Sequence, residues 1–180
     1  NMGARKNASV GEVAFEYASG LFADKGIDGA SLADIALSCG ISKGTLYYYY
    51  PNKDILISRC AEACVKNIDN SLLNWVESLD DATEPVKAFE DIAYIFSYER
   101  EDISLMLSLF GSTDPDIRLM MRSAIKKWQV MIEMGALRLS RRYAERLSRL
   151  SAAILHILIG AAAVGGSREE AKNALNALID

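Results

Sequence analysis

Apolar residues recur along most of the chain at steps of three and four, the spacing of one face of an α-helix. An early stripe consists of Val10, Val13, Ala14, Tyr17, Ala18, Leu21 and Phe22. A later stripe consists of Ile57, Ala61, Cys64, Ile68, Leu72, Trp75 and Leu79. Sustained apolar–polar alternation bounded by turn residues does not occur, so the pattern predicts an all-α fold.

Turn and capping residues divide the first part of this pattern into short helices. Gly26 and Gly29 interrupt the first stripe. Ser31 is a suitable N-cap for a short second helix, and Asp34 stands where a capping box places its acid. Gly40 then ends the second helix, because glycine adopts the positive φ that a tight turn needs.

A third short helix begins after Ser42 and stops before Pro51, and Asn52 caps a longer fourth helix. Later helices are predicted at about residues 84–100, 102–111, 115–139, 143–165 and 168–179. The chain therefore reads as about nine helices in two parts. These are an N-terminal three-helix domain over residues 1–52 and a C-terminal helical bundle over residues 53–180.

Composition changes this picture only slightly. The 180 residues carry a net charge of −4, and residues 1–53 hold five basic and five acidic side chains. The N-terminal part is thus neutral, so nucleic-acid binding finds no support in bulk charge and depends on where individual cations stand.

Three cysteines in a chain of this size suit a reducing cytoplasm. We expect Met2 to be the natural start, with no signal peptide and no membrane span.

The stretch from Leu32 to Tyr50 has the spacing of a helix-turn-helix. Small Ala36 allows the two helices to approach closely, and Gly40 supplies the turn. The segment Ser42-Lys43-Gly44-Thr45 opens the third helix with short polar groups and one cation. Such groups reach base edges and phosphates when a helix N-terminus enters the major groove.

The segment GISKGTLYYYYPNKDILI, preceded by SLADIALSCG, resembles the tetracycline-repressor (TetR) family over about residues 8–60. The resemblance implies a homodimeric transcriptional regulator, most simply a repressor that a small ligand releases from a palindromic double-stranded DNA operator. Carried over by position, it implies DNA contacts from Ser42, Lys43, Thr45, Tyr47, Tyr48, Tyr49 and Lys53.

Helix geometry separates the four consecutive tyrosines, because successive residues lie about 100° apart. Tyr47 and Tyr48 lean toward the DNA side, whereas Tyr50 matches a core position and its hydroxyl needs a partner. Tyr49 is ambiguous, since the resemblance places it near phosphate and the geometry places it near the core. Further upstream, Arg5 and Lys6 form either a DNA-contacting arm or a solvated tail.

Large apolar side chains fill the middle helices, and core packing explains most of them. Some are expected to line a cavity for a small apolar or aromatic effector. The candidates are Trp75, Phe89, Phe96, Met106, Phe110, Met121, Trp128, Met131 and His156. His156 lies in a nearly apolar helix, so a buried core or interface histidine is the alternative to a polar anchor.

The resemblance places the dimer interface on the last helices, where small residues at 160–163 would let another helix come close. The candidates are Leu155, Leu158, Ile159, Ala162, Leu175 and Leu178. Packing within one chain is the alternative for the same residues.

Other classes of function fit less well. No nucleophile–base pair or phosphate-loop motif is present, so we expect no enzymatic activity. No cysteine–histidine cluster has metal-ligand spacing, so no metal or cofactor is predicted. Cys60 and Cys64 lie one turn apart, but disulfide geometry within a helix is poor, which favours small buried hydrophobes over a redox pair. The alternative function is an architectural or adaptor DNA-binding protein of the same fold without an effector.

Overall fold

The structure is a computed structural model that describes residues 9–179, so Arg5 and Lys6 lie outside the described residues. Within that range all regular structure is helical, which confirms the all-α prediction. The range holds ten helices, one more than the approximate nine predicted. They are α1 (Val10–Lys25), α2 (Leu32–Cys39), α3 (Lys43–Tyr49), α4 (Lys53–Ser78), α5 (Pro85–Tyr98), α6 (Arg100–Leu109), α7 (Pro115–Arg138), α8 (Arg141–Arg149), α9 (Ser151–Ala163) and α10 (Arg168–Asn176).

The chain divides into two compact units, and the division lies between Cys64 and Val65, inside α4, rather than after residue 52. The first turns of α4 belong to the N-terminal unit because their side chains are held there. The Ser19 hydroxyl donates to Cys60 Sγ at 3.3 Å. The Arg59 guanidinium carbon lies 5.8 Å from the centroid of the Phe15 ring.

The buried face of α1 is narrower than its apolar stripe. Ala14, Ala18 and Phe22 are buried as predicted, but Tyr17 is exposed. Gly11, which the hydropathy pattern does not mark, is buried instead. Small residues on this face allow the short helix α3 to lie close to α1.

The predicted capping residues act as expected around the turn. The Ser31 hydroxyl accepts from Asp34 N, and the Asp34 carboxylate accepts from Ser31 N at 2.9 Å. Gly40 adopts the left-handed conformation, with φ 69° and ψ 28°. Asn52 Oδ1 accepts from Ile55 N at 2.9 Å and so caps the start of α4.

In the second unit, two tryptophans connect α4, α5 and α7. Trp128 is fully buried, and its Nε1 donates to Asp69 Oδ1 at 2.8 Å. The neighbouring Lys127 ammonium donates to Asp69 Oδ2 at 2.6 Å. Trp75 Nε1 donates to Ala88 O at 3.0 Å, and a Cβ on Gly135 would lie only 2.3 Å from the Trp75 ring. These contacts satisfy both indole N–H groups inside the core.

The single helix predicted over residues 143–165 is two helices, α8 and α9, whose axes differ by 67°. The break is at Leu150, with φ −94° and ψ 6°, and its N–H bonds back to Leu147 O rather than one residue earlier. The bend allows Leu147 and Ile154 both to be buried while the arginines of α8 face outward. Neither glycine nor proline stands at the break, so the sequence carries no breaker signal there.

Over residues 9–179, none of the helices taken singly combines the length and the apolar character that crossing a membrane requires; the bent pair α8 and α9 passes the same test on length and composition alone.

Candidate nucleic-acid interface

Helix α3 has only seven residues, and two of its own side chains fix it to the N-terminal unit. Leu46 is fully buried. Tyr50, which follows the helix, is also buried, and its hydroxyl donates to Gly11 O at 2.9 Å. This hydroxyl is the one for which the sequence required a partner. Burial raises the pKa of Tyr50 above its ordinary value, so the phenol remains a donor.

The N-terminus of α3 presents the short polar groups predicted from the sequence. The Ser42 hydroxyl caps the helix by accepting from Thr45 N at 3.1 Å. It also lies 2.8 Å from Thr45 Oγ1, so the two hydroxyls are hydrogen-bonded to each other. Lys43 is exposed. A cation and a pair of hydroxyl groups therefore stand beside the amide donors of a helix start, which favour an anion such as a phosphate.

The tyrosines after Leu46 differ in exposure as helix geometry predicts. Tyr48 is 82% exposed and Tyr47 46% exposed. The Tyr49 ring packs directly against Gly11 of α1. The contact is so close that a Cβ added to Gly11 would lie only 2.7 Å from Tyr49 Cδ1. Tyr49 still keeps 40% of its surface and meets the Tyr48 ring edge-to-face at 5.2 Å. Packing against α1 thus sets its position, and a DNA contact by Tyr49 stays a prediction.

Lys53 is held within the N-terminal unit. Its ammonium donates to Ile27 O and lies 5.8 Å from the centroid of the Phe22 ring. These contacts place the cation at the loop between α1 and α2. A phosphate contact by Lys53 stays a prediction, and it would use ammonium protons that the Ile27 carbonyl leaves available.

The structure adds one exposed residue that the sequence analysis did not select. Leu37 on α2 is 81% exposed, almost the same as Tyr48 on α3. Leu37 therefore adds an exposed apolar group to the helix that precedes the turn, whereas the DNA contacts carried over from the resemblance all lie at α3 or α4. The exposure of Leu37 could have been inferred from its place on α2: Ala36 and Cys39 face the core, and Leu37 stands between them on the side of the helix that faces away from it.

Burial accounts for the cysteines. Cys60 and Cys64 are both buried, and desolvation raises the pKa of Cys60 to about 11. The thiolate is the reactive form of cysteine, so a raised pKa makes this thiol inert near neutral pH. Cys39 Sγ donates to Ile35 O at 2.8 Å, and burial raises the pKa of this thiol as well.

Most of the predicted effector residues are core residues. Six are buried in the second unit: Trp75, Phe89, Phe96, Met106, Met121 and Trp128. Phe110 and Met131 are half-buried. His156 is exposed in the chain, which corrects the alternative of a buried core histidine; α9 turns this residue outward because Leu155 and Leu158 take the inward positions.

Most of the predicted dimer residues are also buried within the chain itself. These are Leu155, Leu158, Ala162 and Leu175. Since they pack in the core of their own unit, they offer no free face to a second copy, and intrachain packing is the correct reading for these four. Ile159 and Leu178 are half-buried. On α9, Gly160 and Ala163 face outward.

Two of the predicted effector residues and one predicted dimer residue meet in one surface groove of about 590 Å³ between α6, α7 and α9. Phe110 and His156 line it, together with Leu119, Ile125 and Ile159. The walls are mostly apolar, and Arg122, Ser123 and Lys126 supply polar groups. A largely apolar groove with a few polar groups has the character of a small-molecule site.

Residues 15–60 match the family described as bacterial regulatory proteins, tetR family. The relatives include the negative transcriptional regulator IcaR of the biofilm operon icaADBC. The Staphylococcus epidermidis protein is 42% identical over 53 residues, 29% of each chain. The protein from Staphylococcus aureus strain Newman is 36% identical over 94 residues, 52% of this chain and 50% of the relative. The chain thus spans half the length or less of these relatives.

Solved structures share the fold of nearly the whole chain. A transcriptional regulator from Aquifex aeolicus aligns with a TM-score of 0.72 at 20% identity, over 94% of this chain and 96% of the other. A transcriptional regulator from Saccharomonospora viridis, solved in complex with choline, aligns with a TM-score of 0.76 at 18% identity, over 94% of each chain. At these identities the alignments show the fold.

Two tyrosine-to-phenylalanine changes separate the anchoring of α3 from its exposed face. Tyr50→Phe removes the hydrogen bond to Gly11 O and is expected to lower the free energy of unfolding by about 1 kcal/mol. Tyr48→Phe loses only an exposed hydroxyl and is expected to leave stability unchanged. Urea unfolding followed by circular dichroism measures both. Equal stability of the two variants would show that the buried hydroxyl does not hold α3.

Proposed function

We propose that the chain, whose residues 15–60 match the tetR family of bacterial regulatory proteins, is a sequence-specific DNA-binding transcriptional regulator. We propose further that it is a homodimeric repressor, acting in the cytoplasm on a palindromic operator and released by a small apolar or aromatic effector. No catalytic role belongs to this proposal. The relatives named as negative regulators support the direction of regulation.

The observation that carries the proposal is the division of α3 into an anchored side and a presented side. Leu46 is buried in the N-terminal unit, and the Tyr50 hydroxyl ties the end of the helix to Gly11 of α1. Ser42, Lys43 and Tyr48 lie on the exposed side. A rigidly placed helix with polar and cationic groups at its N-terminus and an exposed aromatic side chain in its last turn is an arrangement that can read base edges from the major groove.

The charge distribution indicates that DNA binding would depend on the position of individual cations rather than on a net positive charge of the N-terminal part. Residues 1–53 are formally neutral. Binding is therefore expected to neutralise few phosphates and to weaken only modestly as salt rises. In a symmetric dimer the two copies of α3 would lie about one DNA turn apart, roughly 34 Å, which matches the half-site spacing of a palindrome.

For the dimer, α9 offers an outward face of small residues. Gly160 and Ala163 are exposed, and a Cβ added to Gly160 meets nothing within 4 Å in the chain. Another helix can approach closely where side chains are this small. We place the contact between the two copies on this face; because Ile159 also lines the groove between α6, α7 and α9, the second copy would cover one side of that groove.

For the effector, the groove between α6, α7 and α9 is the proposed site. It combines Phe110 and His156 with further apolar side chains, as an apolar ligand with one polar anchor requires. A ligand that binds the DNA-incompetent form more tightly shifts the population toward it, and the differential affinity sets the size of the shift.

The architectural alternative has one observation in its favour, namely that six of the nine predicted effector residues are buried in the core. Such a protein would bind DNA with an affinity that no small ligand changes. The effector experiment below distinguishes the two.

The DNA-binding prediction uses Lys43→Ala. Loss of the exposed cation at the start of α3 is expected to weaken binding to the palindrome upstream of the gene about tenfold. Lys87→Ala is the matched control, since Lys87 is an exposed lysine of the second unit. Fluorescence anisotropy measures both. If wild type and Lys43→Ala bind the palindrome equally weakly, the proposed function is wrong.

The dimer prediction compares two glycines that stand in helices with no atom within 4 Å of an added Cβ. Gly160→Arg is expected to convert a dimer of about twice 19.7 kDa into a monomer, because a long cation blocks the close approach of α9. Gly20→Arg is expected to leave the dimer intact. Sedimentation velocity measures both masses. A dimeric Gly160→Arg variant would move the interface elsewhere.

The effector prediction uses N-phenyl-1-naphthylamine, a neutral aromatic probe that fluoresces in apolar surroundings. We expect it to bind the wild type and to weaken operator binding. Ser123→Trp fills the groove and is expected to lower the fluorescence of bound probe at least fivefold, whereas Ser38→Trp on α2 leaves it unchanged. Probe binding without any change in operator affinity would favour the architectural alternative.

A further inference from the structure

Helix α8 carries an excess of positive charge that the rest of the chain does not. Its nine residues hold four arginines and one glutamate, a formal charge of +3, so the other 171 residues together carry −7. At about 100° per residue, Arg141, Arg142, Arg146 and Arg149 fall within one face of the helix. Buried Leu147 lies on the opposite side. The sequence therefore builds a cationic face on an otherwise acidic protein.

These arginines are not consumed by internal ion pairs. Within residues 9–179, Arg149 alone of the four forms an ion pair, with Glu145, and both partners are more than 70% exposed. Exposed pairs of this kind contribute little to stability. Arg146 Nη1 donates to Ile179 O at 2.9 Å, and the Arg142 guanidinium lies 5.3 Å from the Tyr143 ring centroid. Most of the positive charge on this face is left without a carboxylate among the described residues.

The placement is unfavourable for the helix itself. Arg141 and Arg142 occupy the first turn of α8, where cations oppose the helix dipole. Neighbouring arginines on one face also repel each other. The first turn contains no acidic residue, and the Ser140 side chain makes no capping hydrogen bond. Arg141 and Arg142 therefore do not serve the stability of α8, whereas Arg146 and Arg149 stand in the last turn, where cations suit the dipole.

The arginines line a groove rather than an open convex surface. The groove has a volume of about 600 Å³, and among the described residues that line it Glu145 is the one acidic residue. Leu150, Ala177 and Leu178 form its apolar part, where the end of α10 approaches α8. This volume lies within the range of small-molecule sites, roughly 300–1,000 Å³.

We propose that this groove, the α8 groove, binds a small organic anion with an apolar body, its carboxylate or phosphate held by Arg141 and Arg142. Guanidinium groups bind such oxyanions through paired N–H donors. The apolar part of the ligand packs on Leu150 and Leu178. Binding replaces arginine–arginine repulsion with arginine–anion attraction. The site is separate from the groove between α6, α7 and α9 and does not depend on DNA binding.

The two grooves allow a matched experiment on the full-length chain. Decanoate and decyl phosphate carry the anion and the apolar body, and 1-decanol is the uncharged match. Isothermal titration calorimetry measures the affinity of all three for three proteins. They are the wild type, Arg141→Gln/Arg142→Gln in the α8 groove, and Arg122→Gln/Lys126→Gln in the other groove. Each double variant removes two positive charges.

We expect the wild type to bind both anions and to bind decanol at least tenfold more weakly. Arg141→Gln/Arg142→Gln is expected to lose at least tenfold in anion affinity while its melting temperature stays equal to or above that of the wild type. Arg122→Gln/Lys126→Gln is expected to bind as the wild type does. The proposal is overturned by no anion binding at 1 mM, by equal decanol binding, or by loss of binding in the second double variant.

A lower melting temperature in Arg141→Gln/Arg142→Gln would mean that these arginines support the fold, and it would equally count against the proposal. Two further occupants remain distinguishable. If nonspecific double-stranded DNA competes with decanoate at equal phosphate concentration, the face binds polyanions instead. If Arg141→Gln/Arg142→Gln changes the sedimenting mass, the face contacts a second copy instead.

Discussion

Everything that the N-terminal unit presents to a partner depends on how a seven-residue helix is fixed to α1. A helix as short as α3 is not stable alone in water, because nucleation costs more than two turns of hydrogen bonds return. Its position is therefore set by buried Leu46, by the Tyr50 hydroxyl on Gly11 O, and by the Tyr49 ring against the same glycine. Gly11 can receive the Tyr49 ring because it has no side chain, and its carbonyl accepts from Tyr50. The exposed groups of α3 are ordered only because this contact is tight.

The parts of the fold that local chemistry decides could be predicted from the sequence. Ser31 with Asp34, Gly40 at the turn, and Asn52 at the start of α4 each act within a few residues of their own position. The periodic stripe of the fourth helix likewise included Trp75, which is buried, and the hydroxyl of Tyr50 could be recognised as needing a partner. These features could be predicted because each depends on residues a few positions apart, and that spacing can be read directly from the sequence.

Features decided by contacts between distant residues could not be predicted in the same way. On α9, Leu155 is buried and His156 is exposed. Which of the two is buried depends on where α5, α6 and α7 approach α9, because a nearly apolar helix has no polar face to orient it. The bend at Leu150 lacks a glycine or proline and follows from burying Leu147 and Ile154 together. The burial of Gly11 was hidden because hydropathy gives little weight to a glycine.

The ties between α4 and α7 restrict how the second unit can change shape. Asp69 holds Lys127 and Trp128, and ten residues further along both helices Leu79 O accepts from Arg138 Nε at 2.7 Å. Trp75 against Gly135 lies between these ties, so the two helices run parallel in a fixed register. Sliding by one turn, about 5.4 Å, would break every tie at once. Any rearrangement of this part of α4 must therefore carry α7 with it as one body.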